Sequence, residues 1–109
     1  MIRLTQRHEL FNADFDRQYR WYLAEADEAV AGKSLKSVQD TLTLLATQPD
    51  LGRRRTFRHP KLQGSYSAQV RRPFQKILIF YRATGNNFEA WRLMHGARNL
   101  SRRLVEPVL

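Results

Sequence analysis

Lys76-Ile-Leu-Ile-Phe-Tyr-Arg-Ala-Thr-Gly-Asn-Asn-Phe-Glu-Ala-Trp-Arg-Leu-Met-His-Gly-Ala-Arg-Asn-Leu100 decides the fold. Ile77 to Phe80 is apolar at every position, the pattern of a strand buried on both faces at the centre of a sheet. Thr84-Gly-Asn-Asn87 follows as a turn, because Gly and Asn accept the positive φ that tight hairpins demand. Beyond it, Phe88, Ala90, Arg92 and Met94 alternate with Glu89, Trp91, Leu93 and His95, which predicts a second, antiparallel strand. Gly96 marks its exit, and Ala97 to Leu104 has the composition of a short, basic last helix.

Working outward, Gly64 opens an earlier strand in which Tyr66, Ala68 and Val70 face one way and Ser67, Gln69 and Arg71 the other, with Pro73 breaking it. Before it lies a basic connection, Arg53-Arg-Arg55 and Arg58-His-Pro-Lys61, with a short strand expected around Thr56–Phe57. The first half reads differently. Ile2 and Leu4 alternate with Arg3 and Thr5, as in a short strand with one buried face. Phe11, Phe15, Tyr19, Tyr22 and Ala26 then form a helical stripe, with Asp14, Asp16, Arg17, Arg20 and Glu25 mostly off it. Asp27 is placed to cap a second helix, along which Ala31, Leu35, Val38, Leu42 and Leu45 step by four, three, four and three. Gly32 weakens that helix, and its expected role is to let the first helix approach. Pro49-Asp-Leu-Gly52 ends it. The fold class is α+β: a short N-terminal strand and a helical hairpin packed on an antiparallel sheet of three to four strands, with a short C-terminal helix, all in one domain over residues 1–109.

Charge divides the chain at the same place. The net charge is +9. Residues 1–50 hold six Lys/Arg against eight Asp/Glu, and residues 51–109 hold thirteen against two. Most of the cations in the second half are arginines, whose planar forks suit carboxylates and phosphates, so the expected partner is anionic: an acidic protein surface, a nucleic acid, or both. There is no cysteine, so no disulfide framework and no thiolate metal site. His8, His59 and His95 lack zinc spacing. No metal or cofactor is expected. The longest apolar run is too short to span a bilayer and no signal peptide is visible, so the expectation is a cytoplasmic protein without a membrane partner.

The chain resembles the RelE/ParE superfamily of bacterial type II toxins. The resemblance is carried by the hairpin closed at Pro49-Asp-Leu-Gly52-Arg53, by Lys61-Leu-Gln-Gly64, Val70-Arg-Arg-Pro-Phe74 and Ile79-Phe-Tyr-Arg82, and by Leu93-Met-His-Gly-Ala-Arg98, in that order and spacing. One departure is Tyr66, where the family often has an arginine after the glycine. The resemblance implies a toxin held in a hetero-oligomer with a cognate acidic antitoxin. It implies one of two actions. ParE-like members bind and poison DNA gyrase. RelE-like members enter the ribosome and cut mRNA without a metal, using cations on the sheet and a tyrosine or histidine near the C-terminus.

For the ribonuclease reading the candidates are Arg71, Arg82, His95 and Arg98, with Arg72 and Arg92 as further cations. No tyrosine follows Arg98, and only Lys61 and Lys76 are lysines in the basic half. The catalytic set therefore looks incomplete, and the ParE-like, non-catalytic reading is favoured. A third reading, a non-toxic nucleic-acid-binding module, is permitted by charge alone. The candidates for target or antitoxin contact are Arg53, Arg54, Arg55, Arg71, Arg72, Arg82, Arg92, Arg98, Arg102 and Arg103. Trp21, expected off the buried stripe, and Arg20 are added because the first helical hairpin of ParE-like toxins has been implicated in target contact. Tyr81 is expected in the core, His95 as a packed and hydrogen-bonded histidine, and Arg82 either in contact or stacked on an aromatic ring.

Overall fold

The computed structural model describes residues 4–55 and 64–95. Strand β1 spans Leu4–Arg7, helix α1 Glu9–Glu25 and helix α2 Glu28–Thr47. A 3-10 turn at Pro49–Leu51 leads into β2, Arg53–Arg54, followed by β3 at Tyr66–Gln69, β4 at Ile77–Thr84 and β5 at Asn87–His95. The five strands form one sheet in the order β1-β5-β4-β3-β2. β4 is central, as its uninterrupted apolar pattern requires. The expectation of an antiparallel, three- to four-stranded sheet is corrected: β1 runs parallel to β5 and makes the sheet mixed. The chain leaves β1 into a helical hairpin and returns to the sheet at its opposite edge. β1 is thus free to take the outer side of β5 in parallel, a pairing that a crossover connection makes possible.

Both helices begin where short-range chemistry says they should. His8 caps α1, its Nδ1 accepting from the Leu10 amide at 3.1 Å. Asp27 caps α2, its Oδ1 accepting from the Val30 amide at 2.8 Å. The α2 stripe packs Val38, Leu42, Leu45 and Ala46 against Ile77, Ile79 and Tyr81 of β4 and Phe88, Ala90 and Leu93 of β5, with Phe11 of α1 in the same cluster. Gly32 does not serve the role expected of it. It is exposed, and a Cβ there would meet nothing within 4 Å. The glycine that does permit close approach is Gly52, where a Cβ would overlap the Tyr81 hydroxyl. Gly85, at φ +57°, opens the two-residue turn between β4 and β5.

The strict alternation expected along β5 is also corrected. Phe80 pairs with Arg92 and Tyr81 with Ala90, so β5 carries one extra residue, Trp91, as a bulge. One inserted residue exchanges the faces. Phe88 and Ala90 lie in the core before it, and Leu93, rather than Arg92, lies in the core after it. The strand expected around Thr56–Phe57 and the helix over 97–104 lie outside the described residues; the strand found in the basic connection is Arg53–Arg54.

Candidate partner-binding groove

Strand pairing decides where the site is. The Val70 amide donates to the Ile77 carbonyl at 2.9 Å. In an antiparallel ladder the main-chain groups of Ser67, Gln69 and Arg71 must then point the other way, towards the β2 side. Ser67 meets Arg53 of β2 there. The Arg71 amide donates to Thr41 Oγ1 of α2 at 3.2 Å. Between them there is no β2 residue, because β2 begins only at Arg53, after the Pro49–Leu51 turn. The Gln69 N–H and C=O therefore face an open edge with no strand beside them among the described residues.

A groove of about 460 Å³ lies along this edge. Leu44 and Leu45 of α2, Leu51, Ala68 and Leu78 make its apolar floor, while Arg53, Arg55 and Arg71 supply its charge. Leu44 and Leu51 are 38% and 56% exposed, large apolar side chains that the fold leaves uncovered. Arg55 is the one arginine of the three with fixed geometry. Its Nε donates to Ser67 Oγ at 2.7 Å, and its guanidinium carbon lies 6.0 Å from the Phe80 ring centroid. Burial lowers its pKa from the ordinary arginine value, and the neighbouring Arg53 charge adds to that. A counter-anion in the groove would relieve both.

Behind the groove, the Tyr81 hydroxyl donates to the Pro49 carbonyl and so ties the turn at the end of α2 to the central strand. Burial pushes the Tyr81 phenol up to about 12; Tyr66 and Asp50 add to the rise, and a main-chain hydrogen bond with Gly52 opposes it. Tyr81 is in the core as expected.

The remaining candidates are dispersed. Arg53 and Arg54 are exposed on β2, and Arg71 and Arg72 in the turn after β3. Arg82 is half-buried with its guanidinium 4.8 Å from the Trp91 ring centroid, the stacked arrangement weighed from sequence. Arg92 is not on the surface. It is 3% exposed, and its Nε donates to Asp14 Oδ2 at 2.8 Å and its Nη2 to Asp14 Oδ1 at 3.1 Å. Asp14 thus commits Arg92 to the interior, and nothing of it is left for a partner. His95 is exposed at the end of β5, 6.1 Å from the Trp21 ring, rather than packed. Trp21 is 50% exposed, and Arg20 is exposed with a loose pairing to Asp16 at 3.8 Å. Arg98, Arg102 and Arg103 lie outside the described residues.

Two residues of the ribonuclease reading, Arg82 and His95, are held apart by the sheet. His95 pairs with Ile77 and Arg82 with Glu89, five residues apart along β4, which separates them by about 17 Å. A single phosphate cannot be held by both. Sequence reading missed Asp14, Thr41 and Ser67. Asp14 was detectable: it sits three residues after Phe11, inside the apolar stripe. Thr41 and Ser67 carried no local signal.

Among the described residues no group of His, Asp and Glu is placed to hold a metal ion, and no helix is long and apolar enough to cross a membrane. The family model described as the ParE toxin of the type II toxin–antitoxin system parDE matches residues 6–100. No curated protein matches the chain. Among solved structures, a chain of the chromosomal ParDE toxin–antitoxin system from P. aeruginosa shares the fold with a TM-score of 0.70, at 17% identity, over 88% of this chain and 98% of that one.

Proposed function

The chain belongs to the family of ParE toxins of type II toxin–antitoxin systems, and from that premise we propose that it arrests growth by binding DNA gyrase, without chemistry of its own, until a cognate acidic antitoxin covers its basic sheet edge. The observation that carries the binding reading is the separation of Arg82 from His95 along β4. Metal-independent RNA cleavage needs a base, an acid and cations around one phosphate, and these side chains are set apart. The groove supports the antitoxin half of the reading. Its leucines would be covered and its three arginines neutralised by an acidic, partly apolar protein segment, and complementary charge would speed the encounter. Exposed Trp21 and Arg20 on α1 are the proposed gyrase contacts.

The test is induced expression in bacterial cells with three readouts. Growth stops, plasmid supercoiling by gyrase is lost, and transcripts stay intact. Transcripts cut at codon-positioned sites would overturn the gyrase reading, and unaffected growth would overturn the toxin reading. His95→Ala keeps the arrest, whereas Trp21→Ala weakens it with an unchanged melting temperature.

A further inference from the structure

A second recess, of about 130 Å³, lies between the 3-10 turn after α2 and the turn that joins β4 to β5. It is lined by Pro49, Asp50, Tyr66, Ala83 and Gly85. In a chain of net charge +9, no lysine or arginine is among these lining residues. We propose that this recess binds one guanidinium group, with the Asp50 carboxylate as its counter-ion and the Tyr66 ring as its support. The site shares no lining residue with the groove, and the proposal does not rest on the toxin reading.

The wall favours a cation. Pro49 has no N–H to offer an anion, and its carbonyl accepts from the Tyr81 hydroxyl. Asp50 is exposed on its turn and has no ion pair among the described residues. Its charge nevertheless reaches inward, since it is one of the causes that raise the Tyr81 phenol above its ordinary value. An anion in the recess would meet that carboxylate at close range, and a neutral group would leave it uncompensated. Arg54 pairs with Tyr66 across β2 and β3, yet it is exposed and is not part of the wall. It therefore competes for the carboxylate rather than holding it.

The lining also separates one cation from another. A metal ion would find too few oxygens, because Asp50 is the only carboxylate in the wall. An ammonium is a point charge. A guanidinium brings charge, a fork that matches a carboxylate and a flat face that suits an aromatic ring. The ring is held ready. Tyr66 stacks on Tyr81 at 5.7 Å between centroids and 22° between planes, and Tyr81 stacks on Phe88 at 5.0 Å and 27°. Tyr81 and Phe88 are fully buried, so the stack is anchored in the core and Tyr66 reaches the recess with little freedom left to lose. The volume gives room for a few waters or for the head of one side chain. At Gly85 the mouth is open, because even a Cβ there would meet nothing within 4 Å.

The experiment titrates the full, isotope-labelled chain with methylguanidinium chloride at millimolar concentration and follows the amide resonances, with sodium chloride at equal ionic strength as the reference. Methylguanidinium produces saturable shifts at Asp50, Tyr66, Ala83 and Gly85, and methylammonium binds more weakly. Asp50→Asn, on an exposed turn, keeps the melting temperature and weakens binding by about tenfold or more. Tyr66→Leu removes the preference for guanidinium over ammonium and keeps part of the affinity. Arg54→Gln, which removes the competing cation, tightens binding. The proposal is overturned if sodium chloride gives the same shifts, if the shifts do not saturate, or if Asp50→Asn binds as tightly as the natural chain. Two further probes read the source of the group. Tighter binding of a capped Gly-Arg-Gly peptide than of agmatine assigns it to an arginine of a protein partner, and the reverse order assigns it to a free small molecule. If neither competes with methylguanidinium, the proposal fails.

Discussion

Beyond Ala90, strand β5 runs past the end of its edge partner β1, and beyond Ser67, strand β3 runs past the end of β2. The two gaps are treated in different ways. At β5 the chain fills its own gap. The His8 amide donates to the Ala90 carbonyl at 2.8 Å, and Asp14 from α1 accepts from the Leu93 amide at 3.0 Å while holding Arg92 with both carboxylate oxygens. At β3 only the Arg71 amide is satisfied, by Thr41, and Gln69 is left facing the groove. One edge is sealed with a buried ion pair, and the other is left polar and basic and floored with exposed leucines. The lesson is that the number of arginines does not identify the binding edge. Arg92 and Arg55 are both held by hydrogen bonds, but only Arg55 keeps an accessible face.

The comparison is broken most severely by removing Asp14. Asp14→Ala leaves Arg92 buried without its partner and the Leu93 amide without an acceptor, and it should cost about 3–5 kcal/mol in urea unfolding. Asp14→Leu combined with Arg92→Met should recover the part of that loss that comes from the unpaired charge, but not the part from the Leu93 amide, which still lacks its acceptor.

Next in size is the pH dependence of the open side, through Tyr81. Its phenol titrates near 10 when unfolded and at about 12 when folded. Both states hold the proton below pH 10, so the stabilisation is fully present there. Between 10 and about 12 only the folded state keeps it, and stability falls as pH rises, by about 3 kcal/mol at most. Unfolding midpoints at pH 9 and pH 12 should differ far less in Tyr81→Phe than in the natural chain.

Thr41→Val removes the acceptor of the Arg71 amide and should cost about 1 kcal/mol, measured by chemical unfolding. The loss is smaller than at Asp14 because water can reach the exposed Arg71 turn. The smallest effect has the opposite sign. Gly32→Ala, with open space around it, should stabilise by about 0.5–1 kcal/mol through the unfolded chain and helix propensity. A loss there would mean that α1 and α2 meet more closely than the structure has them.

Much of the fold was legible because it depends on short-range pattern. The Asp27 cap, the α2 stripe, the central β4 and the Gly85 turn each follow from residues within one turn or one hairpin of each other. The parallel placement of β1 was not legible, since Leu4 to Arg7 carry the same alternation whichever edge they join. Nor was the Trp91 bulge, which is a mismatch of count between two strands rather than a property of either. The burial of Arg92 was not legible either, because its partner Asp14 is 78 residues away in the chain. The site divides in the same way. The basic cluster Arg53-Arg-Arg55 and the exposure of Trp21 were visible from sequence, whereas the groove needed α2, the Pro49 turn and β3 in one place.

By itself the sequence determined the class of elements and the uneven distribution of charge, because periodicity, capping and composition are carried by neighbouring residues, while the order and spacing of its short motifs carried the resemblance to the family. Only the tertiary structure decided which arginines are spent inside and which remain for a partner. That choice depends on contacts such as Asp14–Arg92 and Arg55–Ser67, between residues far apart in the chain, and on which strand edge the fold leaves without a neighbour.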